Sequence, residues 1–314
     1  LTSVCALDLG FGWTKGIFEN RIYTQPTIFG ESKPLFENSV KPDDFIYNDQ
    51  YFVGKLASRQ SDIKYFSMNN NKAESFTSDV MVQTALGYLL GNSAANLVSG
   101  LPIKFYFKQR NKFEESILRI NDIERYHIQK GNMKSVQVAP RLNEIKTVPQ
   151  GQAIAMDYLL KENGKIDKVN EAKKKILVID LGFYTLNLLG MSKFEIMKES
   201  TSLLLGVDNS YKLIEQQLQN LMGRSPARYE LDQYIVAGYY EGRDIKPLIN
   251  QAFKSLARQI QNEIESMNIN FDLYLVAGGA AHFIFDYLKL NNKILLDQLS
   301  QTRGYRKIGA RIWK

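Results

Sequence analysis

Two aspartates sit in the same local setting 172 residues apart. The first closes the apolar run Ala6-Leu7-Asp8 and precedes Leu9-Gly10-Phe11-Gly12; the second closes Val178-Ile179-Asp180 and precedes Leu181-Gly182-Phe183. A second apolar run follows each turn, so each copy reads as a β-hairpin with a carboxylate at the end of its first strand. Glycines in such a turn let consecutive backbone N–H groups face outward as an anion nest. A carboxylate beside phosphate is repelled unless a divalent cation lies between them. The pattern therefore implies Mg²⁺, keeping most of its waters, beside Asp8 and Asp180 and bound by phosphate oxygens. Lys15 follows Asp8 by seven residues and is placed to neutralise phosphate; Thr14 and Thr185 offer hydroxyls. One such hairpin reads equally well as an ordinary turn with a solvent-facing lysine. Repetition of Asp-Leu-Gly-Phe at two strand ends favours phosphate binding.

A third segment, Leu275-Val276-Ala277-Gly278-Gly279-Ala280-Ala281, reads as a buried strand running through paired glycines into a helix. Backbone at Gly278 and Gly279 can pass close to a ligand, and the helix N-terminus favours negative charge. In this order it suits a ribose and an α-phosphate. Other chemistries find little support. His127 and His282 are the only histidines, and with one cysteine no zinc spacing exists. No Ser/His/Asp arrangement can be argued from spacing. The 17 Tyr and 17 Phe fall at strand and helix positions, which points to core rather than base-stacking platforms.

The elements that must position these groups follow from periodicity. Residues 3–9 and 12–18 form the first hairpin. Residues 20–75 read as a small insert with little core of its own, holding short strands at 44–48 and 50–54 and polar loops such as Met68-Asn69-Asn70-Asn71-Lys72. Residues 79–90 have a helical period, with Ser78 as cap. Residues 97–101 form a strand, 104–118 a basic helix and 122–146 short strands around Gly131-Asn132. A helix over 149–160 opens with Pro149 in its first turn. The charged, polar stretch 161–175 is the best domain boundary. Beyond it come a three-strand meander (175–180, 185–190, 194–198) and helices at 206–221, 227–236 and 244–267. A strand at 273–277 leads into a helix through 280–287, and a last helix covers 304–313. Hairpin, mixed elements and helix thus occur twice, giving an α/β protein of two related lobes, residues 1–162 and 163–314, with a helical insert at about 206–268 in the second.

At 314 residues, 44% hydrophobic and 23% charged, the composition is that of a water-soluble globular protein of two domains. No apolar stretch approaches the roughly 18 residues of a membrane span. Leu1–Cys5 has no charged n-region or cleavage site, so a cytoplasmic location is the expectation. Cys5, in the first strand, reads as a buried small hydrophobe. The net charge of +7 is spread along the chain; the one dense run, Lys173-Lys174-Lys175, reads as a solvated linker end. With no helix-turn-helix or zinc-finger spacing, sequence-specific DNA reading is not expected.

Asp-Leu-Gly-x-Gly-x-Thr-Lys, Pro149-Gln150-Gly151, Ile-Asp-Leu-Gly-x-x-Thr and Val-Ala-Gly-Gly-Ala together resemble the actin superfamily of ATPases. They are similar to its first phosphate loop, connecting helix, second phosphate loop and adenosine motif. Ser99-Gly100-Leu101-Pro102 and Arg303-Gly304-Tyr305-Arg306-Lys307-Ile308-Gly309 resemble the ParM type, which segregates plasmids. The likeness spans essentially the whole chain. It implies an actin-like fold with two ribonuclease-H-like lobes around an ATP cleft, and ATP-driven polymerisation. By position it implies Asp8 and Asp180 on the waters of Mg²⁺ and Lys15 on the β- and γ-phosphates, with Gly10, Gly12, Gly182, Gly278 and Gly279 lying against the nucleotide. Lys212 and Glu215, one turn apart, either reach the adenine or form an exposed helical face. Many relatives place Glu or Gln just before the proline of the connecting helix; here Val148 stands there and cannot orient water. Gln150 takes that role, with Gln152 as the other possibility. A glutamine orients water without taking its proton, which suits slow hydrolysis.

The leading expectation is therefore a filament-forming ATPase using ATP/ADP and Mg²⁺. Its partners would be copies of itself and a DNA-binding adaptor protein, with DNA held indirectly or weakly and no membrane contact. A sugar or acyl kinase of the same fold would need a catalytic carboxylate and a sugar-binding cluster, and the insert shows none. A heat-shock-type peptide binder would need a further substrate domain. A non-segregating scaffold for membrane division or pilus assembly would want an amphipathic membrane helix, and none stands out near the basic segment 307–314 that contains Trp313.

Overall fold

The computed structural model describes residues 3–66 and 76–313; the polar loop at Met68–Lys72 lies outside them. The chain forms two compact units, residues 1–168 with 299–314, and residues 169–298.

In the first unit, β1 (Val4–Leu9) and β2 (Trp13–Phe18) form the expected hairpin, extended by β3 (Arg21–Pro26). The insert supplies β4 (Ile28–Glu31), β5 (Phe45–Tyr47), β6 (Tyr51–Val53), α1 (Lys55–Gln60) and β7 (Lys64–Phe66). Then follow α2 (Phe76–Leu90), β8 (Ala94–Leu101), α3 (Ile103–Leu118), β9 (Tyr126–Lys130), β10 (Val136–Val138), β11 (Arg141–Pro149) and α4 (Gln152–Leu159). One sheet has the order β11-β8-β1-β2-β3; the other, β10-β9-β5-β6-β4-β7, carries the insert. Strands β1, β8 and β11 run parallel; β1 and β8 are buried almost throughout and read as near-continuous apolar runs, whereas edge strand β11 exposes Asn143 and Glu144. The insert has only a small cluster of its own around Ile28, Phe52 and Leu56. Its Phe29, Phe45 and Tyr47 join Leu7, Leu86 and Leu97 in the main core. Its aromatic residues pack edge to face, as in Phe29 on Tyr51 at 5.3 Å and Phe45 on Tyr88 at 5.1 Å.

The second unit begins with β12 (Lys175–Leu181), β13 (Leu186–Ser192), β14 (Glu195–Ile196) and β15 (Thr201–Leu203). It continues through α5 (Val207–Met222), α6 (Leu231–Ala237), β16 (Tyr239–Tyr240), β17 (Arg243–Asp244) and α7 (Lys246–Ser266) to β18 (Leu273–Ala277), α8 (Ala281–Phe285) and β19 (Lys293–Leu295). Its sheet order, β14-β13-β12-β18-β19, repeats the third-second-first-fourth-fifth order of the first unit, with an antiparallel hairpin and a parallel return on the other flank. That shared topology is the ribonuclease-H-like sheet of the actin-like fold. Amphipathic α5 and α7 bury Ile214, Leu218, Phe253 and Ile260 over Ile179 and Leu188.

Four expectations are corrected. Ser78 is not a cap: α2 starts at Phe76 and Ser78 is buried inside its first turn. Pro149 does not open a helix; it is the last residue of edge strand β11, where a missing N–H is tolerated, and α4 begins after Gly151 at φ 90. The expected helix at 227–236 splits into a 3₁₀ turn (Arg228–Glu230) and α6. The lobe boundary also differs. The first unit extends to residue 168 and regains the last helix, α9 (Ser300–Ile312), which had been expected in the second lobe. The cause is long-range packing. A Cβ on Gly304 would lie 1.8 Å from the Ala153 carbonyl oxygen, so α9 and α4 touch backbone to backbone. Arg303 donates to Asp157 at 2.8 Å, and the buried Lys307 ammonium lies 2.8 Å from the same carboxylate.

Two outcomes follow from this packing. Gly304→Val is expected to destabilise the protein by about 3 kcal/mol or more by driving the helices apart, whereas Gly279→Ala, with nothing within 4 Å of the added carbon, should stay within about 0.5 kcal/mol; urea denaturation measures both. Cys5 is fully buried and burial pushes its thiol up, so it should react with a thiol reagent only after denaturation.

Candidate functional site

Register decides which side chains of the first hairpin can cooperate. Asp8 lies opposite Lys15, and Leu9 opposite Thr14. Directly paired residues share a face, so Asp8 and Lys15 point together and Thr14 points the other way. Both charged residues are largely buried, at 7% and 8% exposed. The turn closes through the Gly10 N–H, which donates to the Trp13 carbonyl at 3.1 Å. A Cβ on Gly10 would fall 2.5 Å from that oxygen, which is why glycine stands there. Thr27 braces the turn from the bend between β3 and β4: its N–H donates to the Gly12 carbonyl at 2.9 Å and its hydroxyl to the Gly10 carbonyl at 2.8 Å. The Thr14 hydroxyl lies 3.0 Å from that of Thr27. Thr14 thus supports the turn from the face opposite Asp8 and Lys15.

Gln150 comes to this hairpin across 142 residues of chain. Its N–H donates to the Leu101 carbonyl at 2.7 Å, and its amide Nε2 donates to Asp8 Oδ1 at 3.3 Å. Gln152 instead begins α4, half-buried. Of the two glutamines, Gln150 is the one bonded to Asp8.

The second hairpin repeats the turn. Gly182 N–H donates to the Thr185 carbonyl at 2.8 Å, the counterpart of Gly10 and Trp13. Asp180 faces Asn187, whose Nδ2 donates to Asp180 Oδ2 at 2.9 Å, and the Ser202 hydroxyl donates to Asn187 Oδ1 at 2.7 Å. This buried chain holds the carboxylate in one orientation. Asn187 and Ser202 were not foreseen. The signal for Asn187 was present: it follows Asp180 by seven residues, as Lys15 follows Asp8.

Parallel pairing of β12 with β18 sets Ala277 beside Asp180 and brings the third segment to this turn. Gly278 has φ +111, and a Cβ there would lie 2.1 Å from the Leu181 carbonyl oxygen. The expected helix after it is only five residues long. What Gly278 and Gly279 contribute is therefore close, unencumbered backbone rather than a helix dipole.

Lys212 and Glu215 sit on α5, each in an ion pair. Lys212 Nζ is 2.7 Å from Asp208 Oδ2. Arg228 donates to Glu215 at 2.8 Å and to Asp208 at 3.2 Å. The buried Asp208 and the half-buried Arg228 were missed, because Arg228 reaches Asp208 and Glu215 from the 3₁₀ turn beyond α5. Tyr184 lies in the same field: burial first, then the Asp208 charge, pushes its phenol up. Among the described residues no three His, Cys, Asp or Glu side chains cluster as a metal cage. Each hairpin offers one carboxylate, a donor set that fits Mg²⁺ bound through its waters and by phosphate oxygens.

Residues 6–152 match the family described as actin-like proteins, N-terminal domain, and residues 178–289 match the archaeal actin homologue MreB-like C-terminal family. A non-polymerisable quadruple mutant of pCBH ParM is 25% identical, with a TM-score of 0.77 and 99% of both chains covered. The chain belongs to the actin-like proteins. Two further structures share the fold. One is a 15-stranded ParM filament from Clostridium botulinum, at 24% identity, TM-score 0.78 and 99% of each chain. The other is an archaeal actin homologue in complex with ADP, at 19% identity, TM-score 0.74, 98% of this chain and 99% of that one. No curated protein matches by sequence. Among the described residues of this actin-like protein, no helix is long and apolar enough to cross a membrane.

Removing the Asn187 amide takes a hydrogen bond from a buried carboxylate. Asn187→Ala should cost about 1–3 kcal/mol of stability, and Ser202→Ala less, because Asn187 still reaches Asp180; chemical denaturation of both variants checks the order.

Proposed function

We propose that this protein binds ATP with Mg²⁺, hydrolyses it slowly and assembles into nucleotide-dependent filaments that move plasmid DNA through an adaptor protein. One observation carries the reading: the same glycine turn, closed by the same hydrogen bond and headed by a buried aspartate, occurs in both units. The filament of the Clostridium botulinum relative and the ADP complex of the archaeal one support it.

In this reading Lys15 neutralises phosphate charge, and the N–H groups of the two turns receive phosphate oxygens. Asp8 and Asp180 accept hydrogen bonds from the waters of Mg²⁺, each held in place by an amide, that of Gln150 or of Asn187. Mg²⁺ itself supplies charge neutralisation along the phosphate tail. Gln150, held beside Asp8 through Nε2, is the group that orients the attacking water. An amide does not take up the proton of that water, which keeps turnover slow. Gly278 and Gly279 bring backbone against the ribose and α-phosphate. Lys212, linked through Asp208 to Arg228 and Glu215, forms a charged rim for the base.

Light scattering and negative-stain microscopy with ATP, ADP and no nucleotide test assembly. Filaments and a scattering rise with Mg-ATP are expected; a protein that stays monomeric in every state yet phosphorylates a small metabolite would be a kinase instead. Asp8→Ala and Asp180→Ala should each abolish hydrolysis, and Lys15→Ala should weaken nucleotide binding. Gln150→Ala should slow turnover by about 10- to 100-fold with binding retained, so that filaments persist longer. Loss in Gln152→Ala instead would move the role by two positions.

The +7 charge adds a second expectation. A basic filament should hold DNA weakly and without sequence preference at low salt, and release it near physiological salt. A gel-shift titration with specific and scrambled duplexes reads this. Salt-resistant preference for one sequence by the protein alone would mean that the chain reads DNA itself and needs no adaptor.

A further inference from the structure

The turn that carries Gln150 is not held by its own strand and helix alone. Its N–H is fixed to β8 through Leu101, and the next N–H, that of Gly151, donates to Gln301 Oε1 of α9 at 3.4 Å. Gly151 has φ 90, so the chain reverses direction there between β11 and α4. The Gly151 carbonyl accepts the Ala155 N–H of α4 at 3.2 Å, and the acceptor that Gln301 places opposite its N–H holds the peptide on the other side. Gln301 is buried at 7% exposed, and two features fix its position. Two residues later Arg303 is clamped on Asp157 of α4 by hydrogen bonds of 2.8 and 3.1 Å. Three residues later Gly304 lies directly on the Ala153 backbone. The first turn of α9 therefore stands rigidly over the start of α4.

We propose that Gln301 is a positioning residue for hydrolysis. By holding the Gly151 peptide it sets the backbone from which the Gln150 side chain reaches Asp8. The C-terminal helix then does more than complete the fold of the first unit: it sets the aim of the group that orients water. The proposal rests on the reading of Gln150 given above. Displacing a reacting group by about 1 Å costs up to roughly 100-fold in rate, while nucleotide binding draws on the hairpins and is spared.

Two variants break the contact without emptying the site. Gln301→Met keeps the length of the side chain and removes the acceptor; Gln301→Asn keeps an acceptor and withdraws it by one methylene. The first readout needs no nucleotide. The side-chain amide signals of Gln150, identified in ¹⁵N spectra by their loss in Gln150→Ala, should move in both variants; unmoved signals overturn the proposal. The second readout is turnover. Gln301→Met should lower it by about 10- to 100-fold, with binding of a fluorescent ATP analogue unchanged within about twofold. In a Gln150→Ala background the same substitution should add no further loss beyond about twofold. An equal loss in both backgrounds would mean that Gln301 acts independently of Gln150 and would overturn the proposal. Full turnover in Gln150→Ala alone would remove the water-orienting role from Gln150, and the amide signals would then decide whether Gln301 positions it.

Discussion

Each aspartate depends on a strand paired along both flanks. β1 is bonded antiparallel to β2 and parallel to β8; β12 is bonded antiparallel to β13 and parallel to β18. A central strand cannot slide in register without turning its apolar residues to the wrong face. Its last residues are therefore placed as firmly as its core. The turn glycines, the bracing Thr27 and the close approach of Gly278 to Leu181 all take their positions from that fixed strand end. A buried carboxylate on a mobile loop would find water or a passing cation. Here the sheet brings Gln150 to Asp8 and Asn187 to Asp180.

Much of this was legible in the chain because it is local. The strand at Leu273–Ala277 was read to the residue, since Asp272 and Gly278 bound an unbroken apolar run. Both hairpins were legible through the repeated tetrapeptide. What was hidden depended on partners distant in sequence or on the face of a strand. The type and spacing of Thr14 look like those of a phosphate ligand, and only pairing with Leu9 turns it away from Asp8. Lys212 and Glu215 show helical spacing, but the partner that organises them is Arg228, beyond the end of their helix. Gln301 and Gly304 carry no local signal of the helix they touch, which is why α9 was expected in the wrong unit.

Charge is divided unevenly between the units. The first holds 26 Lys and Arg against 18 Asp and Glu; the second holds 14 against 15. All of the net positive charge thus belongs to the first unit. A dense part of it lies on α3, where Lys104, Lys108 and Lys112 recur at one-turn spacing on the exposed face. The weak hold on polyanions expected of this protein belongs to that unit's surface.

The residues facing the two aspartates make the repeated hairpins electrically unequal. Asp8 faces a lysine across its hairpin, whereas Asp180 faces an amide that brings no charge. The shared backbone repeats one closed turn, and the side chains set a different charge balance at each strand end. A duplicated half has in this way become a polar pair, with the polarity written in one residue of each strand, Lys15 and Asn187.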